Sequence, residues 1–229
     1  QSAKTITNAG HTAAARPTLQ TGSDDYALSG GSDGIKFDGT NDYIVIPFSP
    51  DFYFGGSDFT IEGWFNPADN DTILSWGAAS NDFSLMAHSS VGWRAEGQKW
   101  DGTSAITLDE GSGDPKNKGW QHIIIQRENA MNTLFVNGIS ADAQEAETWF
   151  SASGGAYSPL YIGRPWGGAT YHVGSIDEFR ISKMARYTGQ GLIDSNYPNP
   201  SSEFGIQTEG STYGYQDTQV TANTTYQRY

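Results

Sequence analysis

The fold is most tightly limited by a short run whose side chains alternate with the period of a β-strand. In DFTIEGWFNP, the apolar residues Phe59, Ile61 and Phe65 alternate with other side chains until Pro67 ends the run. Such alternation places successive side chains on opposite faces of a sheet. Similar runs recur at intervals of about 8–14 residues, separated by Gly, Asn and Asp turns. This spacing, without alternating strands and helices, predicts an all-β fold of two antiparallel sheets packed as a jelly-roll sandwich.

Composition supports an all-β chain and argues against two kinds of partner. The 28 glycines among 229 residues, with 13% aromatic and only 17% charged residues, suit short strands joined by turns better than long helices. The formal net charge of −13 is opposite to the basic footprint that nucleic-acid binding needs. An anionic membrane surface would repel such a chain, and no apolar run approaches the roughly 18 residues of a membrane helix. We therefore predict neither nucleic-acid binding nor membrane insertion.

The last part of the chain differs from the rest. From about residue 190 the alternation stops, and a polar, Tyr-rich segment runs to the end. We predict a jelly-roll domain over residues 1–189 and an extension over residues 190–229. The extension is either a disordered or surface-wrapping tail or an arm that contacts neighbouring protein subunits, because tyrosine offers amphipathic contact surface.

Six motifs occur in an order that resembles one family. They are IKFDGTNDYIVIP, FTIEGWF, GWQHIIIQR, TLFVNG, LYIGR and GSIDEFRIS. From about Ile35 to Tyr187 the chain resembles the laminin G-like branch of the concanavalin A-like lectin/glucanase superfamily. The ending IDEFRISKMARYTG is similar to modules of tail, fibre and surface proteins of bacterial viruses. The resemblance implies a jelly-roll binding or adhesion module on a virion or another extracellular structure, often with one structural calcium.

The DGTND turn is the predicted calcium site. It offers the side-chain oxygens of Asp38, Asn41 and Asp42, and calcium prefers carboxylate and carbonyl oxygens. The resemblance implies that Asp177, from the last strand, lies near this turn and completes the ligand set. The alternative is that Asp38 and Asn41 only form the turn, with side chains bonded to their own backbone.

The loop RPWGGATYH is the predicted ligand site. It holds Arg164, Trp166, Tyr171 and His172 between two predicted strands. Aromatic faces stack on sugar rings, and polar groups fix the orientation of the ligand. We predict a glycan here, such as a host-surface polysaccharide. The alternative is a loop that packs against the C-terminal extension or a neighbouring subunit.

A glycoside hydrolase is disfavoured by the spacing of the carboxylates in GSIDEFRIS. A retaining glycosidase needs two carboxyl groups about 5–5.5 Å apart on one side of the sugar. Asp177 and Glu178 are adjacent, so strict alternation sends them to opposite faces. We expect Asp177 on the face of Phe179 and Glu178 in a surface ion pair with Arg180. E-x-D-x-E and H-E-x-x-H are absent from the chain.

Two functions remain open at this point. The first is a non-enzymatic attachment or carbohydrate-binding domain, which the aromatic loop around Trp166 favours. The second is a structural decoration or assembly protein of a viral particle that binds no glycan, which the Tyr-rich extension favours.

Overall fold

Two seven-stranded antiparallel sheets face each other in the computed structural model. The structure describes residues 7–8, 18–20, 34–47, 49, 52, 54–76, 83–98, 105–145, 159–165 and 167–187. In spatial order, the first sheet contains β1 (Thr7–Asn8), β4 (Ile44–Ile46), β13 (Leu160–Ile162), β6 (Thr72–Trp76), β7 (Phe83–His88), β8 (Gly92–Gln98) and β9 (Ala105–Asp109). The second contains β12 (Ile139–Glu145), β11 (Met131–Val136), β10 (Gln121–Glu128), β5 (Phe59–Pro67), β14 (Val173–Ser182), β3 (Gly34–Asp38) and β2 (Thr18–Gln20). The predicted two-sheet antiparallel fold is confirmed.

The hydrophobic core lies between the two sheets. Its largest fully buried side chains are Trp93, Phe37, Phe59, Phe65, Phe83, Ile61, Ile73, Leu74, Leu85 and Ile106. The rings of Phe65 and Trp93, one from each sheet, have centroids 5.7 Å apart. Each large apolar side chain buried in this way stabilises the fold by about 1.5–3 kcal/mol. The alternation of apolar residues in β5 therefore identified its core face correctly. In the described part of the chain, no helix is long and apolar enough to cross a membrane.

Side chains join the two sheets along one side of the sandwich. Strand β9 is the last strand of the first sheet, and its amides have no strand partner on one side. The Asp109 amide donates to the Asp142 carboxylate at 3.1 Å, and the Thr107 amide donates to the Gln144 side chain at 3.4 Å. Both acceptors lie on β12, the edge strand of the second sheet. These bonds satisfy edge amides that would otherwise be open to another strand.

A β-bulge in β14 changes which side chains share a face. Asp177 pairs with Trp64, whereas Arg180 pairs with Glu62, so β14 has one residue more than β5 over this interval. Glu178 has φ = 50°, outside the normal strand region. Phe179 packs against the core, whereas Asp177 lies opposite Trp64 on the outer face. The expectation that Asp177 and Phe179 share a face was wrong, because the extra residue interrupts the alternation.

The outer face of the second sheet contains a fully buried carboxylate, Glu62. Arg180 contacts its Oε1 through Nη2 at 2.6 Å and through Nε at 2.8 Å, and Arg186 Nε lies 3.4 Å from the same atom. The Tyr187 hydroxyl donates to Oε2, and His122 Nε2 lies 3.7 Å from it. Burial raises the pKa of Glu62, but the nearby His122 imidazole, the charge of Arg180 and the hydrogen bond from Tyr187 together outweigh it and hold the pKa below its usual value.

Arg180 therefore forms an ion pair across the strands. The sequence predicted a pair with Glu178 within β14, but the guanidinium lies over β5 and contacts Glu62. The bulge explains the difference, because it places Arg180 directly opposite Glu62 in the register.

Hydrogen bonds hold the chain after β14 against this outer face. Gln126 accepts hydrogen bonds from the backbone amides of Arg186 and Tyr187 at 3.0 and 2.9 Å, and its side-chain amide donates to the Tyr187 carbonyl at 2.9 Å. The Thr60 hydroxyl donates to the Met184 carbonyl at 2.9 Å. Residues up to Tyr187 thus belong to the folded unit. The predicted extension, residues 190–229, lies outside the described residues and stays a prediction.

We expect Glu62→Gln to lower the free energy of unfolding by about 3 kcal/mol at pH 7, because the buried guanidinium contacts lose their anionic partner. Because the pKa of Glu62 is lowered in the folded protein, the ionised carboxylate contributes its full stabilisation at pH values above 4.5, the usual pKa of the group. This stabilisation is lost as the pH falls through the folded-state pKa. Urea unfolding between pH 3 and pH 7, followed by tryptophan fluorescence, measures both effects. The exposed Glu145, changed to Gln, is the control. A variant with the same acid dependence as the wild type would contradict this role for Glu62.

Candidate functional site

Four loops meet at one end of the sandwich and enclose a cleft of about 690 Å³. They are the loops that follow β3, β5, β7 and β13. The cleft is lined by Gly39, Thr40, Asp69, Asn70, Asp71, Thr72, Met86, Ala87, His88, Ser89, Ala169, Thr170, Tyr171 and Val173. The turn predicted to bind calcium and the loop predicted to bind a ligand therefore border the same cleft. Most of the lining residues carry hydrogen-bonding side chains.

The position of the last loop is fixed by Asp71, the residue directly before β6. Its Oδ1 lies 2.6 Å from Nδ1 of His172, and its Oδ2 accepts the Val173 amide at 2.9 Å. The His172 amide also donates to the Gly163 carbonyl at 2.8 Å. His172 is fully buried, with its ring 5.7 Å from that of Phe37. The His172 ring therefore lies beneath the loop, and its predicted contact with a ligand stays a prediction.

Three tyrosines surround Arg164 beside the cleft. The guanidinium carbon lies 4.6 Å from the ring centroid of Tyr43, 5.0 Å from that of Tyr161 and 6.0 Å from that of Tyr171. The Tyr43 ring is 6.3 Å from Tyr161 and 6.1 Å from Tyr171. All four residues are half-buried, so each keeps some exposure to solvent. We call Tyr43, Tyr161 and Tyr171 the tyrosine cluster.

The sequence identified this cluster only in part. Arg164 and Tyr171 were predicted, whereas Trp166 lies outside the described residues. Tyr43 and Tyr161 were missed. Tyr161 stands between Leu160 and Ile162, which are both buried in the core, so strand alternation alone could have shown that it points outward.

The DGTND turn brings three of the four predicted cation ligands together. The Asp38 amide donates to Asp42 Oδ2 at 3.1 Å, and the Thr40 amide donates to Asp38 Oδ1 at 2.7 Å. These bonds are those expected of a turn whose side chains bond its own backbone. Asp42 is only 2% exposed, and burial raises its pKa, with a further contribution from the charge of Asp38.

Two oxygens of the turn remain for a cation. Oδ1 of Asn41 and Oδ1 of Asp42 are buried and have no hydrogen-bond partner among the described residues. Over the same residues, no group of three or more His, Cys, Asp and Glu side chains could hold a metal ion. A cation here would therefore need the amide oxygen of Asn41, together with backbone carbonyls or water, which suits calcium.

Asp177 is not brought to this turn. Val173 pairs with Asp38, and Asp177 lies four residues further along β14. At about 3.3 Å per residue, this places it roughly 13 Å from the turn. Its Oδ1 accepts the amide of Glu178 at 2.7 Å.

Comparison with known proteins agrees with this architecture. A sequence profile described as "Concanavalin A-like lectin/glucanases superfamily", of laminin G type, matches residues 38–189. The chain belongs to this family. No curated protein sequence matches it significantly.

Solved structures with a similar fold include binding domains and parts of enzymes. The binding domain of Paraclostridial Mosquitocidal Protein 1 is 16% identical, with a TM-score of 0.58, over 80% of this chain and 44% of that one. Domain 4 of AbnA, a GH43 extracellular arabinanase from Geobacillus stearothermophilus in complex with arabinotriose, is 16% identical with a TM-score of 0.51. That match covers 73% of this chain and 82% of that domain. This chain thus spans less than half of the first structure, and at such identities the similarity concerns the fold alone.

We predict that Gly39→Ala destabilises the protein more than Gly119→Ala. Both glycines have nearly the same positive φ, 78° and 79°, so each variant loses about 1–2 kcal/mol from the backbone alone. A Cβ at Gly39 would lie 2.3 Å from Cγ2 of Val173, whereas one at Gly119 has nothing within 4 Å. Overpacking adds about 1–3 kcal/mol for Gly39→Ala. Equal losses in urea unfolding would show that the turn does not pack tightly on β14.

Proposed function

We propose that this protein is a carbohydrate-binding module whose ligand lies along the cleft and the tyrosine cluster. The observation that carries the proposal is the set of half-buried tyrosine rings around Arg164, directly beside a polar cleft. Partly exposed aromatic rings stack on the faces of sugars, and the lining side chains hydrogen-bond sugar hydroxyls. The AbnA domain, which has a similar fold, was solved with arabinotriose. That complex supports the proposal by analogy of fold.

We propose a binding function without catalysis, because the carboxylates of the cleft are already engaged. A glycosidase acid needs a raised pKa so that it carries a proton near neutral pH. The pKa of Asp69 is lowered instead, by hydrogen bonds from the Asn70 amide and the Lys116 side chain. Asp71 uses one oxygen for His172 and the other for the Val173 amide. Neither carboxylate is arranged as a proton donor to a glycosidic bond.

The proposed setting is attachment on a virion or another extracellular structure, with a host-surface polysaccharide as the ligand. The resemblance of IDEFRISKMARYTG to modules of viral surface proteins supports this setting, as does the similarity to the binding domain of a toxin. The alternative of a decoration protein depends on residues 190–229, which lie outside the described structure, and it stays a prediction.

The tyrosine cluster gives a direct test. We expect Tyr171→Ala to weaken binding of a retained glycan by about 3- to 10-fold, because the loss of one aromatic stacking contact costs about 0.5–1.5 kcal/mol. Tyr171→Phe keeps the ring and is the matched control. A glycan array identifies the retained saccharide, and calorimetric titration then measures each affinity. Unchanged affinity in Tyr171→Ala would remove the cluster from the binding surface.

We further propose that the DGTND turn holds a structural calcium ion through Asp38, Asn41 and Asp42. Bound calcium would supply positive charge beside a buried carboxylate whose pKa is otherwise raised by burial. The free Oδ1 atoms of Asn41 and Asp42 support this proposal, and Asp177 is no longer included in it.

Calcium added to the chelated protein is expected to raise its melting temperature, because a ligand that binds only the folded state stabilises it. Asp42→Asn is expected to remove this rise. Asp58→Asn, at the opposite end of β5 from the cleft, is expected to keep it. Differential scanning calorimetry with and without calcium measures the shift. A wild-type melting temperature that calcium does not change would contradict the site.

A further inference from the structure

Arg164 differs from the other arginines of the described structure in its partners. Four of them lie within ion-pair distance of a carboxylate: Arg94 of Asp109, Arg127 of Asp58, and both Arg180 and Arg186 of Glu62. Among the described residues, Arg164 has no such carboxylate. Its Nε donates to the Pro165 carbonyl at 3.2 Å. The chain has 26 acidic and 13 basic residues, so a guanidinium without an acidic partner is not explained by a shortage of carboxylates.

The tyrosine cluster holds the Arg164 guanidinium in place. The ring centroids of Tyr43 and Tyr161 lie 4.6 and 5.0 Å from its central carbon, within the range of cation–π contact. Among the described residues, the one hydrogen bond that the Arg164 side chain donates comes from Nε, so the two Nη groups are available as a fork of donors for a ligand.

A fork of this kind fits a planar anion. Parallel N–H donors match the two oxygens of a carboxylate, and this geometry is specific to arginine. The acids of the cleft are already engaged, Asp69 by Lys116 at 3.4 Å and Asp71 by His172 at 2.6 Å. Their contacts reduce the repulsion that an incoming anion would meet.

We infer that the ligand is an acidic saccharide whose carboxylate is bound by Arg164 while a sugar ring stacks on the tyrosine cluster. This inference rests on the proposed carbohydrate-binding function and narrows it to glycans that contain a uronic or another carboxylated sugar. The acidic surface of the protein disfavours such ligands elsewhere, so recognition depends on the direct contact with Arg164.

The test compares saccharides that differ only in charge. An array carries acidic oligosaccharides, among them oligogalacturonates and sialyllactose, each beside its carboxyl-reduced counterpart. We expect the wild-type protein to bind an acidic member roughly 10- to 100-fold more tightly than its neutral partner, as one hydrogen-bonded charge allows. Arg164→Gln should lower acidic binding to the level of the neutral partner, so that the preference for the acidic member of each pair disappears. Arg164→Lys keeps the charge but loses the fork of donors. Its affinity for the acidic saccharide should lie between those of the wild-type protein and Arg164→Gln.

Arg94→Gln is the matched control, because Arg94 already has Asp109 as a partner. It should keep the full preference for acidic saccharides. Melting curves of all variants establish that each is folded. If wild-type protein binds both members of each pair equally, or if Arg164→Gln weakens both equally, the inference is overturned and carbohydrate binding stands. If folded wild-type protein binds no saccharide of either kind, the proposed function fails as well.

Discussion

The carboxylate of Asp71 joins the two sheets at the end of the sandwich where the cleft lies. Asp71 stands directly before β6 of the first sheet, and its oxygens contact His172 and the Val173 amide, where β14 of the second sheet begins. Its carbonyl also accepts the Ala87 amide at the end of β7. Three strands from two sheets thus depend on one residue. These contacts hold the loop after β13 against the loop after β5 at the edge of the cleft.

The strands and the core could be predicted from the sequence, because both follow from local alternation. Phe59, Ile61 and Phe65 occupy the core face of β5 as their spacing indicates. The bulge in β14 could not be predicted, because Glu178 takes a left-handed conformation that its residue type does not indicate. One extra residue was enough to move Asp177 to the outer face and to place Arg180 directly opposite Glu62, with which it forms an ion pair.

For the candidate site, the sequence predicted features that come from neighbouring residues and missed those that only the fold brings together. The turn from Asp38 to Asp42 was found because all its oxygens come from five consecutive residues. The cleft was not found, because Asp71 and Tyr171 are a hundred residues apart and meet only through the order of strands in the first sheet, where β13 lies beside β6. Sequence spacing gave no measure of that order, and it also gave no measure of the distance between Asp177 and the turn.

The origin of the cleft in four separate loops has a consequence for how this protein can diversify. Each loop begins and ends in a strand whose register is fixed by its neighbours, so positions of a loop that do not contact the other loops can change in length or composition independently. Relatives can therefore differ in one loop of the cleft at a time, and their ligand preferences can change in small steps. Residues such as Asp71, which bridge the sheets beneath these loops, are the ones that such exchange must leave in place.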